Sequence, residues 1–106
     1  MNNFSDMLSK AKAMQEKMKE AQDQIKKIEV HGMSGGNLVK VTLTGDYEIK
    51  SIEITDAAKK ESQEIINDLI IAAYNNAKEN LKKKSAEELS KVTGGLNLPV
   101  DFKLPF

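Results

Sequence analysis

Apolar and polar residues alternate strictly near the middle of the chain. Val39, Val41 and Leu43 are each followed by a polar residue, and Gly45-Asp46 then offers a turn. Alternation with a period of two is typical of a strand with one buried face. The segment from Leu38 to Ile54 is therefore predicted to form a β-hairpin. An isolated hairpin is marginal in water, so a third strand is expected near Val30, with helices over the apolar face.

The second half of the hairpin changes its phase. Its apolar residues are Tyr47 and Ile49, then Ile52 and Ile54, so the odd positions give way to even ones. One extra residue in one strand restores a common face. The pattern predicts a β-bulge near Ser51.

The first 29 residues carry an unbroken helical repeat. Apolar residues recur at alternating spacings of three and four, at Phe4, Met7, Ala11, Met14, Met18, Ala21, Ile25 and Ile28. A helix over residues 1–29 would be roughly 44 Å long, which is longer than a compact body of this size would cover. The part of this helix that extends beyond the body must therefore be covered by another segment or another molecule. The flanking positions do not form the complementary ion pairs of a parallel homodimeric zipper.

A second long helix is predicted over residues 62–93, with Ser62 as its N-cap and Gly94-Gly95 as its stop. The segment 65–74 is apolar around most of its circumference, and one small sheet cannot cover it. A second copy of the chain is the expected neighbour. The predicted dimer interface consists of Ile65, Ile66, Leu69, Ile70, Ala73 and Tyr74. A capping-box pattern at Ser85–Glu88 leaves open a kink that restarts the helix there.

The last residues, 94–106, are apolar and contain Pro99 and Pro105, so they are predicted to be extended. Exposed Phe and Leu side chains would favour aggregation, which makes docking on the chain's own fold the preferred interpretation. Docking on a partner is the alternative.

Composition excludes several functional classes. Sixteen lysines balance sixteen acidic residues, and there is neither arginine nor cysteine. No Cys/His cluster, phosphate-binding loop or catalytic triad is present, so no enzyme activity, cofactor, metal or small-molecule substrate is predicted. The glycine-rich link at residues 30–37 lacks phosphate-loop spacing, and His31 within it is interpreted as a solvated strand residue. No membrane span or signal peptide is evident, and a cytoplasmic protein is expected.

The whole chain resembles the YbaB/EbfC family. The resemblance rests on the order and spacing of several motifs, which are Gln15-Glu16-Lys17-Met18, Val30-x-Gly32, Leu38-Val39-Lys40-Val41-Thr42, Ile52-Glu53-Ile54, Ala72-Ala73-Tyr74-Asn75 and the ending Gly95-Leu96-x-Leu98-Pro99-x-x-Phe102-Lys103-x-Pro105-Phe106. It implies a bacterial nucleoid-associated DNA-binding protein without catalytic activity, and a homodimer whose helical arms project from a central core. Members often have Pro-Gly in place of Val100-Asp101, and arginine where this chain has only lysine.

Together these patterns predict a single α+β domain over residues 1–106. It comprises a helix (1–29), a small antiparallel sheet of about three strands (30–55), a helical segment (62–93) and an extended tail (94–106). Its expected function is binding of duplex DNA by a homodimer, mainly through the DNA backbone, within the nucleoid. DNA contact is predicted for Lys10, Lys12, Lys17, Lys19, Lys82, Lys83, Lys84 and Lys91. The alternative is a protein-interaction module that uses the Met-rich first helix or the tail, and an RNA-binding role is also open.

Overall fold

The computed structural model describes residues 3–93 of the chain. In order, the elements are α1 (Asn3–Lys26), β1 (Glu29–Ser34), β2 (Val39–Thr44), β3 (Ile49–Ile54), α2 (Asp56–Lys59) and α3 (Gln63–Thr93). The molecule measures 72 × 23 × 17 Å and has a radius of gyration of 19.3 Å. A compact domain of this length would have a radius of gyration of about 13 Å. The fold is therefore α+β, as predicted, and strongly elongated.

The three strands form an antiparallel sheet in the order β1-β2-β3. Thr42 pairs with Ser51, whereas the next residue of β2, Leu43, pairs with Ile49. Lys50 is thus the extra residue of a bulge, which confirms the predicted irregularity near Ser51. The bulge places Ile49, Ile52 and Ile54 on the same face as the buried side chains of β2.

Helix α3 crosses that face above β1 and β2. It comes closest at Gly32, where a Cβ atom would overlap the backbone of Ala73 and Ala77. The core beneath the helix includes Val39, Val41, Leu43, Ala73, Ala77 and Leu81, all fully buried. The opposite face of the sheet carries polar side chains, including His31, whose Nδ1 lies 2.9 Å from the Thr42 hydroxyl. The fold therefore has two layers, with one face of the sheet open.

The start of α3 agrees with the sequence prediction. The Ser62 hydroxyl accepts a hydrogen bond of 3.3 Å from the backbone N–H of Ile65, as an N-cap does. The helix then runs through Ser85 without interruption, so the alternative of a restart there is wrong. The additional helix is instead α2, which lies between the sheet and α3. Thr55 caps α2 by accepting a hydrogen bond from Ala58.

Helix α1 ends at Lys26, so Glu29 begins β1 and the helix is shorter than the predicted 1–29. Its C-terminal half buries Ala21 and Ile25, whereas each residue from 3 to 13 is exposed. The end of α1 also meets the β2–β3 turn, because a Cβ on Gly45 would overlap the carbonyl group of Ile25. The predicted tail, 94–106, lies outside the described residues.

The two long helices pack antiparallel beyond the sheet. Ser85 and Leu89 of α3 line a cleft with Ile25 of α1, and Glu88 and Lys91 line a groove with Ala21 and Lys27. Because α1 leads into the core at Ile25 and α3 leaves it after Leu81, the N-terminus of α1 and the C-terminus of α3 lie at the same end of the pair. We call this helix pair, residues 3–27 and 78–91, the arm.

Candidate nucleic-acid interface

The four predicted lysines of α1 are all exposed on the arm. A helix turns about 100° per residue, so residues seven apart lie on nearly the same side. Lys10 and Lys17 therefore form one row and Lys12 and Lys19 a second row, on opposite flanks of the apolar stripe. The two rows give α1 positive charge on both sides.

The predicted lysines of α3 lie in two places. Lys82, Lys83 and Lys84 directly follow Leu81, which is fully buried in the core. The triplet is therefore located where the arm leaves the sheet. Lys91 lies farther along, in the groove that α3 forms with α1. The structure places Lys91 beside α1 residues.

Most of these lysines have no acidic partner among residues 3–93. Lys82 pairs with Glu79 at 3.9 Å and Lys91 pairs with Glu88 at 3.2 Å, both as exposed i,i+3 neighbours. Such surface pairs contribute less than about 1 kcal/mol. A phosphate group can therefore replace either carboxylate at little cost.

Charge is unevenly distributed along the elongated molecule. Residues 3–27 contain six lysines and four acidic residues, and residues 78–91 contain five lysines and three acidic residues. Residues 28–77 contain four lysines and eight acidic residues. The arm thus carries a net charge of +4 and the body −4, although the chain is neutral. Lys26, Lys27 and Lys78 belong to the positive segments but were missed, because the sequence alone did not fix where the arm begins.

A cleft of about 460 Å³ lies at the base of the arm. It is lined by Gln22, Ile25, Lys26, Gly45, Asp46, Tyr47, Ser85 and Leu89.

Within residues 3–93, no three His, Cys, Asp or Glu side chains are grouped so that they could hold a metal ion.

No helix in this same range combines the length and apolarity that a membrane crossing requires.

The residues predicted for a dimer interface differ in exposure. Ile65 is 44% exposed, and Ile66, Leu69, Ile70 and Tyr74 are half-buried. Ala73 is fully buried against Gly32 of its own chain and cannot contact a second molecule. Three isoleucines outside the predicted interface are also exposed, namely Ile49, Ile52 and Ile71.

The two edges of the sheet are also different. Asn76 accepts a hydrogen bond of 2.9 Å from the outward N–H of Met33, and Asn80 donates one of 2.7 Å to the outward carbonyl of His31. These two amides occupy the edge of β1. In the described part of the chain, no hydrogen bond reaches the outer edge of β3. An open edge beside exposed isoleucines is a surface on which another strand can pair.

Comparison with known proteins gives a consistent picture. The model of the YbaB/EbfC DNA-binding family matches residues 1–96. A nucleoid-associated protein of Bartonella bacilliformis is 43% identical over 107 aligned residues, which cover 100% of this chain and 99% of the relative. Nucleoid-associated proteins of Rickettsia canadensis and Granulibacter bethesdensis are each 41% identical, with complete coverage of both chains.

Proposed function

Because this chain belongs to the YbaB/EbfC DNA-binding family, we propose that it binds duplex DNA as a nucleoid-associated protein, and that the lysines of the arm hold the DNA backbone. The family is described by DNA binding and not by a catalysed reaction, which agrees with the prediction that the chain is not an enzyme. The proposed location is the nucleoid, in the cytoplasm.

The observation that carries the proposal is the separation of charge, with +4 on the arm and −4 on the body. A neutral protein with such a dipolar arrangement attracts DNA to one end and repels it from the other. Lysine is a flexible point charge, and without arginine there is no planar fork to read guanine. Binding should therefore show weak sequence preference and strong salt dependence.

Two multiple variants test the arm. Changing Lys82, Lys83 and Lys84 together to Gln should weaken binding equally on all DNA sequences. For each phosphate contact removed, the slope of log K against log salt should become shallower by about 0.9. The second variant carries the same change at the four predicted lysines of α1. Electrophoretic mobility series at several salt concentrations provide the measurement.

A triple variant of body lysines, Lys40→Gln, Lys59→Gln and Lys60→Gln, is the matched control, because it removes the same charge from the other end of the molecule. It should change affinity less than the triple variant on the arm. If both arm variants bind DNA like the wild type, or if the body variant weakens binding equally, the arm does not carry the contact.

We further propose that the binding form is a homodimer, joined through β3 and the adjacent flank of α3. Ala73 and Ala77 face the sheet, so Ile70 and Tyr74 lie on the flank of α3 away from Asn76 and Asn80. That flank is on the side of β3, beside Ile49 and Ile52. The open strand edge and these apolar side chains supply the two features of a self-complementary surface.

Sedimentation equilibrium tests the dimer. Ile52→Asp should dissociate it, because burying an unpaired carboxylate in the interface costs several kcal/mol. Ile70→Asp should dissociate or unfold the protein for the same reason. Met33→Asp is the control, since Met33 is 44% exposed against 42% for Ile52 but lies on the other face of the sheet. A wild type that is a folded monomer at micromolar concentration excludes the homodimer.

The second candidate function is a protein-interaction module, and it is favoured by the exposed apolar side chains at the start of α1. Phe4 is 72% exposed and Met7 65% exposed. In that case DNA affinity would be weak and its salt slope would not respond to the arm variants. Substituting RNA for DNA in the same series tests an RNA-binding role.

A further inference from the structure

The apolar stripe on the N-terminal half of α1 has no cover among residues 3–93. Phe4, Met7 and Leu8 are 72%, 65% and 57% exposed. The next stripe residues, Met14 and Met18, are half-buried. A contiguous apolar surface of this kind in a soluble protein marks a contact. We propose that the stripe is the docking site of the chain's own C-terminal segment, residues 96–106.

The course of α3 directs this segment toward the stripe. Helix α1 leads into the core at Ile25, whereas α3 leaves the core after Leu81, so the end of α3 points along α1 toward Phe4. A segment that follows Thr93 can therefore reach the part of α1 that precedes Ala21. The stripe begins there and runs to Phe4.

The length of the segment is sufficient. The 13 residues from 94 to 106 reach about 40 Å at about 3.1 Å per residue in an extended conformation. The stripe from Met18 to Phe4 spans about 21 Å at 1.5 Å per residue. The segment can therefore cover the whole exposed stripe of its own molecule without help from a second copy.

The pattern of the segment matches an extended chain with one apolar face. Every even position is apolar, at Leu96, Leu98, Val100, Phe102, Leu104 and Phe106. Every odd position is polar or proline. In an extended chain, alternate side chains point to the same side. Prolines lack a backbone N–H, so the segment can lie along a helix without strand partners.

The natural methionines provide the first test, because Met7, Met14 and Met18 lie on the stripe and Met33 lies on the sheet. In full-length protein labelled with ¹³C at the methionine methyl groups, truncation after Gly95 should shift the three stripe resonances and leave Met33 in place. Phe102→Leu with Phe106→Leu keeps the segment apolar but removes its aromatic ring currents. This variant should move the same three signals, and it replaces the truncation should the truncated chain not fold.

A crosslinking experiment identifies which molecule supplies the segment. The chain has no cysteine, so Ala11→Cys on the stripe can be paired with Lys103→Cys and joined by a short bismaleimide. Ser9→Cys is the control, because it lies about 200° around the helix from position 11. Co-refolding ¹⁴N- and ¹⁵N-labelled protein before crosslinking separates links within one chain from links between chains.

The proposal requires that crosslinks form at position 11 far more than at position 9, and that each crosslinked pair carries a single isotope. Mixed-isotope pairs in about half of the products would assign the stripe to the segment of a second copy and overturn the proposal. If the signals of the three stripe methionines shift in neither tail variant, the segment does not contact the stripe. This result would also overturn the proposal, and another protein would be the expected partner of the stripe.

Discussion

Gly32→Ala tests whether the close approach of α3 to the sheet holds the fold together. A Cβ at Gly32 would overlap the backbone nitrogen of Ala77 and the carbonyl oxygen of Ala73, and would lie 2.7 Å from the Cα of Ala77, whereas ordinary contact begins near 3.4 Å. The neighbouring atoms belong to the backbone of α3, so no side chain can rotate away. Because the two overlapping atoms lie closer than the Cα of Ala77, the helix must rise from the sheet by about 1 Å or more.

The cost follows from the core beneath the helix. Val39, Val41 and Leu43 are fully buried there, and each contributes about 2 kcal/mol by burial. A gap of about 0.5–1 Å forfeits a quarter to a half of the dispersion energy. We expect a loss of about 2–3 kcal/mol, which lowers the melting temperature by about 10–20 °C for a domain of this size.

Gly36→Ala is the matched control, and both variants are compared with the wild type by thermal and urea denaturation at one protein concentration. Gly36 has φ +79°, and no atom would lie within 4 Å of a Cβ at this position, so alanine there costs only backbone strain, about 1 kcal/mol. If Gly32→Ala is no more destabilised than Gly36→Ala, the close approach does not limit stability.

Two further predictions concern the sheet. Replacing Asn76 and Asn80 together by Ala should cost about 1–2 kcal/mol and open the edge of β1, which light scattering should record as concentration-dependent aggregation that the neighbouring change Asn75→Ala does not cause. The Lys50 ammonium donates a hydrogen bond of 2.6 Å to Glu29, and this bond, followed by the charge of Lys50, lowers the pKa of Glu29 below 4.5. The resulting stabilisation of the folded protein is present above pH 4.5, and it is lost as the pH falls through the lowered pKa of Glu29. Lys50→Gln should return the pKa toward 4.5 in a ¹³C titration of the carboxyl group, and an unchanged midpoint would exclude the bond in solution.

Local patterns predicted the sheet well, because the alternation of apolar and polar residues in a strand depends only on residues that are adjacent in the sequence. The phase change between Ile49 and Ile52 located the bulge to within one residue, and Ser62 located the start of α3. The capping-box pattern at Ser85 was misleading for a physical reason. Such a box stabilises a helix start only where the chain has already left a helix, and the residues before Ser85 are strong helix formers.

Features that depend on tertiary approach could not be read from the sequence. Ala73 lies in an apolar run that was predicted to be a dimer surface. Because Gly32 has no side chain, α3 approaches the sheet so closely that Ala73 is buried in the core of its own chain. The position of the lysine triplet depended likewise on where Leu81 is buried. The net charge of zero concealed the separation of charge, because that separation exists only when α1 and α3 are placed side by side.

The asymmetry of the sheet edges also limits stoichiometry. Indefinite strand-to-strand growth needs a molecule with two free edges, one for each neighbour. Here the side-chain amides of Asn76 and Asn80 occupy one edge, so the sheet within residues 3–93 offers a single position for pairing. The proposed association through β3 would therefore be self-terminating, because two sheets paired at that edge would leave no free edge on which a third could add.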